Sequence, residues 1–243
     1  AAFVSAVTND WKTQYLHTIS VTDGALKTVD VLRDSAWIGG PCQGCAGWAD
    51  DRRIWFVSEA DGYAHLHTVG ADGKGRRQLT KGKWEVTEAE LSPDKRWFWL
   101  HTSEVSPFEQ HFYRMPVAGG THERITREAG RHDVTVSPDA RLIADLHSTA
   151  NRPPEIYVGT LAPNATIAQL TTSPTPEWMS HKWIKPEIVM IPASDGVPVP
   201  ARVYRPADVG GTPNGAGVMF VHGAGYLHNV HNWWSTYYRE YMF

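Results

Sequence analysis

Three stretches of this chain repeat one pattern at a fixed interval. Trp48-Ala49-Asp50-Asp51-Arg52-Arg53-Ile54-Trp55-Phe56-Val57, Leu91-Ser92-Pro93-Asp94-Lys95-Arg96-Trp97-Phe98-Trp99-Leu100 and Val136-Ser137-Pro138-Asp139-Ala140-Arg141-Leu142-Ile143-Ala144-Asp145 each set a polar turn before a β-prone run. The second turn carboxylates, Asp51, Asp94 and Asp139, are 43 and 45 residues apart. A second landmark keeps the same pitch, because Leu79-Thr80, Ile125-Thr126 and Leu170-Thr171 are separated by 46 and 45 residues. Two independent landmarks at one period are hard to produce by chance. A period of about 40 to 50 residues is that of a propeller blade made of four antiparallel strands.

The chemistry inside each unit agrees. Runs such as Trp97–Thr102 are rich in aromatics, and a further strand follows at His65–Val69 or His111–Met115. Asp72-Gly73 and Gly119-Gly120 are tight-turn pairs that lead into the Leu-Thr or Ile-Thr marker. Tyr15–Ser20 with Asp23-Gly24 reads as the tail of an earlier blade. The expectation is an incomplete all-β propeller over residues 1–172, about three blades plus a partial one.

The repeat stops after Thr172. Ser173-Pro174-Thr175-Pro176, with Pro186 soon after, reads as a linker over 173–187. Glu187–Ile191 and Val199–Tyr204 then flank the turn Ser194-Asp195-Gly196 and read as a hairpin. Val218-Met219-Phe220-Val221 is four apolar residues in a row, expected to be a short buried strand, and it runs into His222-Gly223-Ala224-Gly225. Asn232 is placed to cap a helix whose Trp233, Trp234, Tyr237, Tyr238 and Tyr241 fall on one face.

The order of propeller repeat, proline-rich linker, hairpin, and apolar strand into His-Gly-x-Gly resembles the prolyl oligopeptidase family of serine peptidases, in its dipeptidyl-peptidase-IV-like branch. Ser58–Leu66, Gly73–Thr80, Lys83–Val86, Glu109–Arg114 and Pro186–Tyr226 carry the resemblance. It implies that residues 188–243 are the truncated start of an α/β-hydrolase catalytic domain. It also implies a serine-type peptidase that cleaves small peptides through an acyl-enzyme, with the propeller gating access. The implied substrate is a peptide, no cofactor is called for, and a homodimer of the parent protein is compatible with it. No G-x-S-x-G occurs between Ala1 and Phe243, so the triad is expected outside this chain, and this part alone is expected to be inert. No Glu-Glu pair of the kind that holds a substrate amino terminus in that branch occurs either. A non-catalytic propeller binding module, and an esterase or acylaminoacyl hydrolase on the same scaffold, are the competing readings.

The site candidates lie in one loop. In hydrolases of this type, donors after the strand face the oxygen that becomes negative. The backbone of Gly223 and Ala224 is the favoured donor, with His222 orienting the loop and Tyr226 as a further donor candidate. His222 stands where the branch has its oxyanion tyrosine, which is a departure from the pattern. His228 and His231, three apart, are read as loop packing rather than metal ligands, since no carboxylate accompanies them at ligand spacing. Cys42 and Cys45 are either a local disulfide or idle thiols, in preference to a metal or redox site; a bridge favours the periplasm or the exterior over the cytoplasm. A net charge of −3 and a pI near 6.5, without any basic run, give nucleic acid no purchase. No window of 18 apolar residues is present to span a membrane.

Overall fold

The structure is a computed structural model that describes residues 1–223 and 227–236. By contact the chain falls into two compact units, Ala1–Ser106 with His111–Ile125, and Pro107–Gln110 with Thr126–Phe243.

The first unit holds three antiparallel sheets, each a simple meander. Strands β1 (Ala2–Val7), β2 (Thr13–Ile19) and β3 (Leu26–Arg33) form the first. The second contains β4 (Ala46–Trp48), β5 (Arg53–Ser58), β6 (His65–Gly70) and β7 (Arg77–Gln78). The third contains β8 (Val86–Leu91), β9 (Trp97–Thr102), β10 (His111–Pro116) and β11 (Glu123–Arg124). The second sheet is apolar on both faces because its strands alternate two sets of apolar residues. Ile54, Phe56 and Val69 pack with Leu16 and Val29 of the first sheet. Trp55 and Leu66, on the opposite face, pack with Phe98, Leu100, Tyr113 and Met115 of the third. Trp55 meets Phe98 edge-on, ring centroids 5.7 Å apart. Each fully buried side chain of this size contributes roughly 1.5–3 kcal/mol, so the intersheet layers are the main source of stability here.

Both repeat landmarks have a physical cause. In the Ser-Pro-Asp turn, the Ser92 hydroxyl donates to Asp94 at 2.6 Å and accepts from the Trp97 amide at 2.9 Å, which closes the loop as β9 begins. Ser137 does the same one blade later, with Asp139 at 2.7 Å and the Leu142 amide at 2.9 Å. The threonine of the Leu-Thr marker accepts a backbone amide from the blade's third strand. Leu66 donates to Thr80 Oγ1 at 3.0 Å, and Ile156 donates to Thr171 Oγ1 at 2.9 Å. His65 Nε2 faces the Gly82 carbonyl, which only accepts, so Nδ1 is the acceptor for the Thr80 hydroxyl at 3.0 Å.

The second unit holds a fourth antiparallel sheet, β12 (Arg131–Val136), β13 (Leu142–Thr149), β14 (Arg152–Thr160) and β15 (Ile167–Gln169). Pro176–Ser180 is a one-turn helix, α1. Thr175 caps it by accepting the Trp178 amide, and Pro176 sits at the position where a missing N–H costs nothing. The hairpin follows as β16 (Glu187–Pro192) and β17 (Pro198–Val203). Gly196 takes φ 82° at its turn, which a residue with a Cβ adopts only with strain.

Two sequence expectations fail in this unit. Residues 218–221 form no strand and are exposed, Met219 at 88%. An apolar strand of a parallel sheet needs neighbours on both edges, and among the described residues β16 and β17 pair only with each other. Residues 232–236 are not helical, and Asn232 caps nothing: its amide group donates to Glu109 at 3.2 Å and its backbone N–H to the Phe108 carbonyl at 2.8 Å. Tertiary contacts outweigh the local helix pattern. Tyr237, Tyr238 and Tyr241 lie outside the described residues.

Candidate functional site

The loop picked out by the sequence is only partly described. His222 and Gly223 are exposed, while Ala224 and Tyr226 lie outside the described residues. His222 Nδ1 is 3.0 Å from the Gly223 carbonyl. A carbonyl only accepts, so Nδ1 is the donor in this contact. A Cβ added at Gly223 would meet nothing within 4 Å, so this backbone is open to an approaching group.

Downstream, the chain is anchored by specific contacts within the second unit. Trp234 donates its amide to Ser148 Oγ at 3.3 Å, and the Arg131 guanidinium lies 5.9 Å from the Trp233 ring. His231 is buried and stacks flat on Trp233, centroids 4.1 Å apart and planes within 2°. Burial, then the Arg202 guanidinium, pushes its pKa down to about 3. The imidazole is therefore a neutral packing group. Among the described residues no three His, Cys, Asp or Glu side chains converge on a point where a metal ion could sit.

Two further polar clusters stand out. His132 and Asp145 are each 0% exposed and bonded at 2.6 Å across β12 and β13, while His132 Nε2 meets the Glu128 carbonyl at 2.7 Å. His147 stacks on His132 at 4.3 Å. A pair so closed to solvent ties strands together rather than meeting a substrate. Cys42 and Cys45 are joined by a disulfide in the segment between the first and second sheets.

Sequence reasoning missed an aromatic cluster in the second unit. Trp178 stacks on Trp183 at 4.4 Å, and Trp234 approaches Trp178 edge-on at 5.7 Å. These residues come from α1, the segment after it and the 227–236 stretch, so no spacing rule links them. The one available signal was tryptophan density in a proline-rich connection. No helix among the described residues is long and apolar enough to cross a membrane.

Comparison with known proteins gives three findings. The family profile described as dipeptidyl peptidase IV (DPP IV) N-terminal region matches residues 7–154. A curated protein from Tuber melanosporum (strain Mel28), named as a probable dipeptidyl-aminopeptidase B, is 35% identical over 82 residues, which is 32% of this chain and 9% of that protein. The crystal structure of Porphyromonas gingivalis dipeptidyl peptidase 4 superposes with a TM-score of 0.77 at 15% identity, over 99% of this chain and 34% of that one. At that identity the likeness is one of fold. The chain thus spans about a third of the solved relative's length and under a tenth of the curated one's.

Proposed function

Because this chain belongs to the dipeptidyl peptidase IV N-terminal-region family, we propose that it is the propeller portion, with the opening of the catalytic domain, of a serine peptidase acting on small peptides. In this reading residues 1–172 are propeller wall, 173–187 the linker, and 188–243 the start of an α/β-hydrolase domain. The observation that supports it most is the family match across 7–154, since that stretch carries the 43- to 45-residue repeat and two whole blade sheets. A ring of blades encloses a central channel that restricts a substrate by size, and that is how a complete propeller would gate a hydrolase.

The chemistry follows from what the loop at His222 offers. A serine supplied by chain beyond Phe243 attacks the peptide carbonyl, the carbonyl oxygen becomes negative, and backbone donors at Gly223 and Ala224 stabilise it. The tetrahedral intermediate collapses, breaking the C–N bond and releasing the amine product with the proton taken from the serine, and water then hydrolyses the acyl-enzyme to the carboxylic acid and free serine. His222, protonated at Nδ1 toward the Gly223 carbonyl, orients the loop. The test compares the 243-residue chain with the same chain extended through its downstream coding sequence. The extended protein should label with a fluorophosphonate probe and release p-nitroaniline from dipeptidyl p-nitroanilides, whereas the shorter chain does neither. An extended protein that fails to label overturns the peptidase reading in favour of a binding propeller; labelling of the shorter chain overturns the assignment of the nucleophile downstream.

A further inference from the structure

The second unit contains a cavity of about 340 Å³ that the peptidase reading does not use. That volume is at the small end of the range of roughly 300–1,000 Å³ typical of ligand sites, with room for a single ring-bearing group. Its apolar wall is Trp183, Trp234, Ile184 and Val209. Trp178 covers one face of the Trp183 indole and does not line the cavity, so the indole turns its other side toward the space. Trp234 stands at 76° to Trp183, giving a ring in the cavity one face to stack on and one edge to meet.

The polar lining comes from Lys182, Asn151, His181, Tyr204 and Ser235, and among the described residues no Asp or Glu lines the cavity. Lys182 spends one N–H on the Asp208 carbonyl at 2.7 Å, leaving two of its three donors. The Asn151 carbonyl oxygen accepts from the Thr149 hydroxyl at 3.2 Å, which leaves its amide donors. The Trp183 indole N–H is committed to the Trp178 carbonyl at 2.9 Å, so it fixes the wall and does not compete for the ligand. A flat apolar wall beside spare donors and a fixed positive charge is complementary to an aromatic ring carrying an anion. We propose that this cavity is a binding site for a small aromatic carboxylate, its ring against Trp183 and Trp234 and its carboxylate at Lys182 and Asn151.

The proposal stands apart from the peptidase reading, because binding here is measured without any catalytic group and each can fail alone. Isothermal titration of the 243-residue chain uses N-acetyl-L-phenylalanine, its amide and N-acetylglycine as probes. Saturable one-to-one binding of the carboxylate is expected, with the amide at least about tenfold weaker and N-acetylglycine giving no saturable heat. Lys182 is exposed and at a surface loop, so Lys182→Met should keep the fold by circular dichroism while weakening the carboxylate about tenfold and leaving the amide unchanged. Trp183→Leu should weaken carboxylate and amide alike. Equal affinity for carboxylate and amide, an unchanged carboxylate affinity in Lys182→Met, or no saturable binding up to about 10 mM would each overturn the proposal.

Discussion

Trp97-Phe98-Trp99-Leu100 and Val218-Met219-Phe220-Val221 are both unbroken apolar runs of four, and they meet opposite fates. The first is the start of β9, with Phe98 and Leu100 at 0% exposure between two neighbouring strands and under the second sheet. The second forms no strand and is exposed, with Val218 at 78%. Hydropathy does not separate them; strand neighbours do. A blade supplies its own, because each meander turn returns the chain to the strand it has just left. A strand of a parallel sheet takes its neighbours from elements distant in sequence, so its apolar residues say nothing until those elements are in place.

The largest expected effect breaks this contrast open. Phe98→Ala removes a ring from the layer shared by the second and third sheets and should cost about 3–5 kcal/mol. Met219→Ala should stay within about 0.5 kcal/mol, as for a surface position. Urea unfolding followed by circular dichroism reads both. A large loss at Met219 would mean that the apolar run is packed in solution, contrary to its exposure, and the contrast between the two runs would collapse.

A smaller effect asks whether burial means the same in the two regions. His67, on β6, is 1% exposed and stacks on Phe56. Burial, then the Arg76 guanidinium, pushes its pKa down to about 4, and His231 in the other unit is pushed down to about 3. Both folded pKa values lie below the ordinary value near 6.5, so in this window the unfolded chain binds protons that the folded chain does not. The stability from a neutral His67 is therefore complete above about pH 6.5 and is lost as pH falls toward 4; for His231 the loss continues toward 3. His67→Leu should flatten the acid limb between about pH 6.5 and 4. His231→Phe should flatten the same limb over its wider range. Melting temperature against pH for each variant separates them. An acid limb unchanged in His231→Phe would show that the 227–236 segment is open in solution while the blade is closed.

How much was legible follows the same line. The blades could be read from sequence because their landmarks are short-range chemistry: Ser92 and Asp94 close a loop four residues long, and Thr80 reaches an amide fourteen residues back. The loop at His222 could be nominated from its glycines, but two of its four candidate residues, Ala224 and Tyr226, lie outside the described residues. Asn232 was misread as a cap because its partners, Phe108 and Glu109, stand more than a hundred residues earlier. Trp178, Trp183 and Trp234 went unnoticed for the same reason. Their meeting is a fact of tertiary structure that no period encodes.

The smallest effect tests the local half of that statement. The two Ser-Pro-Asp turns end on Lys95 at φ 56° and Ala140 at φ 54°, both in the left-handed region where a Cβ crowds the following carbonyl. Both turns make the same serine and aspartate bonds, although one precedes β9, buried on both faces, and the other precedes β13, whose residues alternate between buried and exposed. If turn chemistry is local, Lys95→Gly and Ala140→Gly should relieve the same crowding. The relief of about 1 kcal/mol or more is offset by glycine's greater entropy in the unfolded chain, which leaves a net gain of a few tenths to about 1 kcal/mol at each. Matched denaturation curves for the two variants would show the turn acting independently of the sheet it serves. A gain at Ala140 with a loss at Lys95 would mean that the doubly buried blade holds its turn in place by packing, and that even the most legible signal in this sequence depends on its neighbours.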